Sequence, residues 1–159
     1  MPTLQQQAVH LTQEALAALF RTARHVPVDK YHWSPMGEAR AAQNQVAECA
    51  LTPMVYLSLL DGHPMDFSDP AVRRHGEQMM SALDTVDAAE AAAQEQYARL
   101  YTRIESLSDA DLTRTVRLPF GGGRDVPIAD IIFFAYQNIV YHTGQINYLQ
   151  LMLGDKEMH

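Results

Sequence analysis

Apolar residues recur at helical spacing along most of this chain, and they define long stretches separated by proline, glycine and aspartate. The first stretch runs from about Leu4 to Ala23, and Thr3 with Gln6 forms a capping-box signature at its start. The second runs from about Met36 to Leu60 and is apolar on more than one side. Because Pro53 lacks the N–H that an interior helical position needs, we expect a kink in this helix.

The second half of the chain continues the pattern. Pro70 begins a short helix that extends to about Met80, and a third long stretch follows over residues 81–107. Strand-like alternation and a glycine turn predict a small hairpin within residues 113–126, and the fourth long helix covers Ile128 to Leu153. Together these elements predict one all-α domain over residues 1–159, an antiparallel four-helix bundle with a small β-hairpin before its last helix.

Two helix-length stretches carry almost no charge, and the few polar or titratable residues within them are candidates for a functional site. Glu48 is the only charged residue between Arg40 and Asp61. Between Asp130 and Asp155 there is no formal charge, and His142 is the only titratable group apart from tyrosines, with Asn138 one helical turn before it. Because a polar group on an apolar face costs free energy unless it is paired, we expect Glu48, Asn138 and His142 to meet in the core.

The spacing alone leaves two interpretations of this cluster open. Glu48 and His142 can pair with each other, with Asn138 adding a hydrogen bond, as buried polar groups commonly do. The same three side chains can instead hold one metal ion, because residues four apart on a helix project from the same face. Gly144, close to His142, is interpreted as a close helix-packing position, and Gln145 as a partner for buried backbone.

Composition narrows the class of protein. The chain has 159 residues, 47% of them hydrophobic and 19% charged, which is typical of one globular domain. A net charge of −7 argues against binding to nucleic acid or to an anionic membrane surface. One cysteine, Cys49, excludes an intrachain disulfide, and no stretch is apolar enough to span a bilayer. We therefore expect a cytoplasmic protein.

Several segments together resemble one known family. The last helix carries HTGQINY at residues 142–148 and ends at Leu-Gly-Asp at residues 153–155. Trp-Ser-Pro at residues 33–35 precedes the second helix, and the strand-like segment 116–119 precedes the last. In this combination the chain resembles the DinB/YfiT superfamily over nearly its whole length.

The resemblance implies a dimeric four-helix bundle whose typical members hold a divalent metal with three histidines, one on the second helix and two on the last. Only His142 matches those positions. Asn138 and Glu48 stand where the other two histidines would be, so the metal-ligand set implied for this chain is Glu48, Asn138 and His142. We expect either one divalent ion (Mn, Fe, Ni or Zn) or no metal at all.

Three functions remain open from the sequence. The altered ligand set favours a bundle that binds a small molecule, or a stress-associated bundle, in either case without an assigned catalytic residue. The alternative implied by the resemblance is a divalent-metal-dependent transferase of low-molecular-weight thiols, or a hydrolase. The apolar second helix and the resemblance both predict a homodimer.

Overall fold

The structure, a computed structural model, describes residues 1–157 and 159. Four long helices pack around one core, and a two-stranded sheet precedes the last of them. The helices and strands, in chain order, are α1 Leu4–Arg24, a 3-10 turn Val28–Lys30, α2 Ala42–Leu60, α3 Pro70–Ala82, α4 Val86–Glu105, α5 Asp109–Leu112, β1 Thr115–Arg117, β2 Asp125–Pro127, α6 Ile128–Ile131 and α7 Phe134–Met152. The predicted all-α bundle with a small hairpin is confirmed.

The four long helices form a ring in which α1 contacts α7 and α4, and α2 contacts α4 and α7. Contacts between named residues give the directions. The start of α1 meets the end of α4 through Gln5 and the Leu107 carbonyl, so these two helices are antiparallel, as are α2 and α7. The ends of α1 and α7 meet through Thr22 and Gln150, so this pair runs parallel, as do α2 and α4. The parallel neighbours α2 and α4 are joined by the long connection at residues 61–85, whereas residues 25–41 join α1 to α2 across the bundle.

Two predicted helix boundaries were wrong. Helix α2 begins at Ala42, not near Met36, because Gly37 adopts a left-handed φ of 54° and the chain turns through residues 36–41 before the helix starts. The last helical stretch is interrupted, with α6 ending at Ile131 and α7 starting at Phe134. At the break the Phe133 N–H bonds the Asp130 carbonyl three residues back, which tightens the turn.

Pro53 lies inside α2, as predicted, and the hydrogen bond that it removes is replaced from another helix. A residue with an N–H at position 53 would donate to the carbonyl of Cys49, four residues earlier. In this structure the buried Tyr97 hydroxyl of α4 donates to that carbonyl at 3.0 Å. The carbonyl that Pro53 leaves without a helical N–H thus receives a hydrogen bond that links α2 to α4, one residue from Glu48.

Helix α3 stands apart from the bundle. None of its 13 residues, all of them described, is buried, and its principal helix neighbour is α2. Gln43 of α2 anchors its C-terminal end by donating to the carbonyls of Met80 and Leu83, at 3.0 and 2.8 Å. Within residues 1–157 and 159, no helix is long and apolar enough to cross a membrane.

Candidate functional site

Glu48, Asn138 and His142 come together where α2 faces α7. Asn138 Nδ2 donates to Glu48 Oε1 at 3.2 Å, and His142 Nε2 lies 3.0 Å from the same oxygen. His142 is only 2% exposed, whereas one third of the Glu48 side chain reaches the surface. The cluster is thus a buried imidazole facing a carboxylate that remains accessible from one side.

The hydrogen-bond partners of His142 Nδ1 determine which ring nitrogen carries the proton. His142 Nδ1 lies 3.2 Å from Gln45 Oε1 and 3.0 Å from Gln145 Oε1. The Gln45 amide is oriented by its own nitrogen, which donates to the Arg40 carbonyl at 3.2 Å. Because both neighbours of Nδ1 are oxygens, Nδ1 carries the proton and donates. His142 Nε2 therefore faces Glu48 Oε1 across a position that needs a cation, either a second proton on the ring or a metal ion.

Arg40 supplies positive charge at the other oxygen of Glu48. Its Nη1 lies 2.6 Å from Glu48 Oε2, and its guanidinium also bonds the side chain and the carbonyl of Asn44. Burial alone would raise the pKa of Glu48, but the hydrogen bond and charge of His142, followed by those of Arg40, lower it to about 2. Glu48 is therefore an ionised carboxylate with partners on both oxygens.

Sequence reasoning missed Arg40 and Gln45 as parts of this cluster. Gln45 lies three residues before Glu48, and that spacing could have found it. Arg40 precedes α2, so helical periodicity carried no signal for it. Two other expectations were wrong. Gln145 bonds His142 instead of backbone, and Gly144 is not closely packed, because a Cβ at this position would meet no atom of another element within 4 Å.

Cys49 does not contribute a reactive thiol. Its side chain is fully buried, and burial raises its pKa well above the ordinary value, with a further increase from the charge of Glu48. It is packed in the core beside the cluster.

An apolar groove between α2 and α3 leads to the cluster. Its volume is about 880 Å³, which is in the range of small-molecule pockets. Glu48, Thr52 and Asn138 provide polar groups in its lining, and Tyr56 and His75 are the other residues with polar side chains among the described lining residues. The remaining described lining residues are Leu51, Met54, Val55, Met65, Phe67, Ala71, Val72, Gly76, Met79, Met80 and Phe120.

The groove explains why α2 is apolar on several sides. Leu51, Met54 and Val55 face α3 across the groove, while the buried face of α2 packs against α4 and α7. Four of the described lining residues are methionines, whose unbranched side chains adapt to differently shaped ligands. Since α3 has no buried residue, its whole apolar side is available as the outer wall of the groove.

Of the three predicted metal ligands, Glu48 and His142 are placed as ligands of one divalent ion would be, and Asn138 is not. Glu48 Oε1 and His142 Nε2, 3.0 Å apart, have the separation of neighbouring ligands on one ion. Asn138 instead presents its amide nitrogen to Glu48, and Arg40 holds the second carboxylate oxygen. No group of three or more His, Cys, Asp or Glu side chains able to hold a metal occurs among residues 1–157 and 159.

The chain is a four-helix-bundle protein with a polar cluster between the long helices α2 and α7. The sequence model of the DinB superfamily matches residues 8–146. The chain belongs to the DinB superfamily. No curated protein is a significant sequence match to it.

Solved structures share the fold at low sequence identity. One is YfiT from Bacillus subtilis, described as a probable metal-dependent hydrolase with an unusual four-helix bundle topology. Its TM-score is 0.74 at 13% identity, over 94% of this chain and 87% of that chain. A mycothiol-dependent maleylpyruvate isomerase has a TM-score of 0.71 at 17% identity over 92% of this chain, which spans only 63% of that protein. The colibactin self-resistance protein ClbS, in complex with a dsDNA, has a TM-score of 0.68 at 14% identity, over 92% and 95% of the two chains.

Proposed function

We propose that this protein binds a small, largely apolar molecule in the α2–α3 groove, with a polar group of that molecule placed against Glu48 and Asn138. The observation that carries the proposal is an apolar groove of about 880 Å³ whose lining includes part of a buried polar cluster. Apolar walls supply affinity, and a few fixed polar groups supply orientation, which is the usual composition of a ligand site.

Filling the groove tests this proposal. A Cβ at Gly76, on the groove side of α3, would meet no atom of another element within 4 Å, so Gly76→Trp places an indole in open space. The neutral apolar dye Nile red should bind the wild type, and Gly76→Trp should abolish most of that binding. Gln78→Trp is the matched control, because Gln78 is exposed on α3 outside the groove lining. Equal dye binding by wild type and Gly76→Trp would contradict the proposal.

A divalent ion is the second candidate ligand, favoured by the orientation of His142. Gln45 and Gln145 hold the proton on Nδ1, so in the neutral ring the Nε2 lone pair is directed toward Glu48, the arrangement in which a metal-binding histidine is usually held. Glu48 and His142 would hold the ion, and Asn138 would join them through its oxygen after its amide rotates. Such an ion would supply Lewis-acid chemistry for a transferase of low-molecular-weight thiols or a hydrolase.

Elemental analysis of protein purified without a histidine tag and equilibrated separately with Mn²⁺, Fe²⁺, Ni²⁺ and Zn²⁺ tests this second candidate. It predicts about one ion per chain in the wild type, and close to none in His142→Ala. His10→Ala is the control, because His10 lies on the exposed surface of α1 beside Glu14. Wild-type protein that retains none of the four metals would eliminate this candidate.

The assembly that we propose is a homodimer formed through α7. Ten large hydrophobic residues are exposed in the described part of the chain, and five of them lie on this helix. These five are Val140, Tyr141, Tyr148, Leu151 and Met152. They follow helical spacing along one side, with Gly144 between them. An apolar side of this kind on a surface helix is typical of an interface.

A further inference from the structure

The hydrogen-bonding capacity at the polar end of the groove points to the chemical class of its ligand. Glu48 has about four lone-pair positions: Asn138 Nδ2 and Arg40 Nη1 occupy two of them, and His142 Nε2 faces a third. One position remains on a carboxylate that is one third exposed and that lines the groove. This position is on Oε2, where Glu48 can accept one further hydrogen bond.

Asn138 offers a second acceptor beside it. Its Nδ2 donates to Glu48, which orients its Oδ1 toward Thr52 Oγ1 at 3.4 Å. The Thr52 hydroxyl also donates to the Glu48 carbonyl at the much shorter distance of 2.6 Å, so its one proton is committed there. Among the described residues Asn138 Oδ1 thus receives no strong hydrogen bond.

Donors are correspondingly scarce at this end. Arg40 and the His142 ring direct their donors at Glu48 or at glutamine and asparagine oxygens, and neither residue is part of the described groove lining. What remains in the described lining is the second amide proton of Asn138, together with Tyr56 and His75, whose hydroxyl and imidazole can each donate or accept. An anionic head group would therefore find few hydrogen-bond donors at this end of the groove.

The aromatic lining favours a cation as well. Tyr56, Phe67 and Phe120 are on the groove wall, and the negative face of an aromatic ring attracts an organic cation. No lysine or arginine occurs among the described lining residues, and His75 is the only basic side chain there. The whole chain carries a net charge of −7, which also attracts cations to its surface.

We infer that the groove takes an organic primary ammonium: an amine head donates to Glu48 and Asn138 Oδ1 while its apolar body lies between α2 and α3. This inference rests on the proposed function of the groove. An ammonium has three donors and no acceptor, so it matches an end that offers accepting oxygens. An alcohol can donate only one hydrogen bond, and a carboxylate donates none.

Competition among three molecules of matched shape tests the inference. The probes are 4-phenylbutylamine, 4-phenylbutanol and 4-phenylbutanoate, measured by displacement of Nile red at physiological salt, which screens the charge of the whole protein. We expect the amine to bind at least about tenfold more tightly than the alcohol, as a charge-assisted hydrogen bond would give, and the carboxylate to bind most weakly.

Two variants assign the preference to the groove. Glu48→Gln should reduce the preference for the amine over the alcohol to about twofold or less, and Asp61→Asn should leave it unchanged. Asp61 is the matched control because it is an exposed carboxylate paired with Arg103, away from the groove lining. If Glu48→Gln does not fold, Asn138→Leu decides the question, because it removes the second acceptor and should also lower the preference.

The outcomes separate the inference from the proposal on which it rests. Equal binding of alcohol and amine, or tighter binding of the carboxylate, overturns the ammonium assignment and leaves a ligand groove. An amine preference that survives in Glu48→Gln, or in Asn138→Leu where that variant is decisive, also overturns it. Failure of Nile red to bind the wild type, together with failure of all three probes in calorimetry, removes the proposed function itself.

Discussion

At the scale of single residues, Glu48 connects every polar feature of the site. One oxygen faces Asn138 and His142, the other faces Arg40, and the exposed third of its side chain faces the groove. A buried or half-buried carboxylate requires such partners because desolvation penalises its charge. The same carboxylate is therefore the residue on which stability, cation binding and ligand preference should all depend.

Acid should destabilise the protein through Glu48. Its pKa in the folded state, about 2, lies below its ordinary value of 4.5, so the contribution to stability is present above pH 4.5 and is lost as pH falls toward 2. Since a third of the side chain is exposed, we expect this contribution to be about 1 to 2 kcal/mol. Urea unfolding between pH 3 and 7 should show a weaker acid dependence in Glu48→Gln than in wild type. Asp61→Asn serves as the control, and parallel curves for wild type and Glu48→Gln would contradict the assignment.

The residues of the cluster were predictable to different degrees. Glu48, Asn138 and His142 could be found because each interrupts an apolar helical stripe, and burial of a polar group demands a partner. Arg40 could not, because its position depends on the turn at residues 36–41, where Gly37 takes a left-handed conformation that no periodicity reveals. The inward or outward direction of Gly144 depended on the packing of α7, which the sequence does not specify.

At the scale of secondary structure, helix interiors were predictable and helix ends were not. The capping box at Thr3 fixes the start of α1, and the predicted start was found. Helix α2 starts at Ala41 and Ala42 without a side-chain cap, so no such signal marked its beginning. The break between α6 and α7 falls within an apolar run in which no proline or glycine marks it.

The link between Pro53 and Tyr97 makes a quantitative prediction about α2 and α4. Tyr97→Phe removes the only side-chain donor to the buried Cys49 carbonyl in the described structure and should cost about 1 to 2 kcal/mol of unfolding free energy. Pro53→Ala restores an N–H four residues after Cys49, so Tyr97→Phe should cost much less in that background. Denaturant unfolding of the four proteins in a double-mutant cycle measures the coupling. Additive effects of the two substitutions would mean that the hydroxyl and the proline act independently.

At the scale of the whole molecule, the apolarity of α2 that suggested a dimer has an explanation within one chain. Helices α4 and α7 cover its buried face, and α3 forms a groove with the rest. The exposed side of α7 is different, since no described element covers Val140, Tyr148 or Leu151. Periodicity alone could not identify this helix as the one with an uncovered apolar side, because α7 has a polar and an apolar residue at nearly every turn.

We therefore expect two copies of the chain to associate through α7. Light scattering at tens of micromolar should report twice 17.8 kDa for the wild type, and the interface should bury at least ~1,000 Å². Val140→Glu places a charge on the apolar side of α7 and should return the mass to 17.8 kDa with unchanged helical content. Val28→Glu is the matched control, because Val28 is 92% exposed in the 3-10 turn and lies on a different surface. A dimer that Val140→Glu leaves intact would place the interface elsewhere, and a wild-type mass of 17.8 kDa would show that the apolar side of α7 does not join copies of this chain.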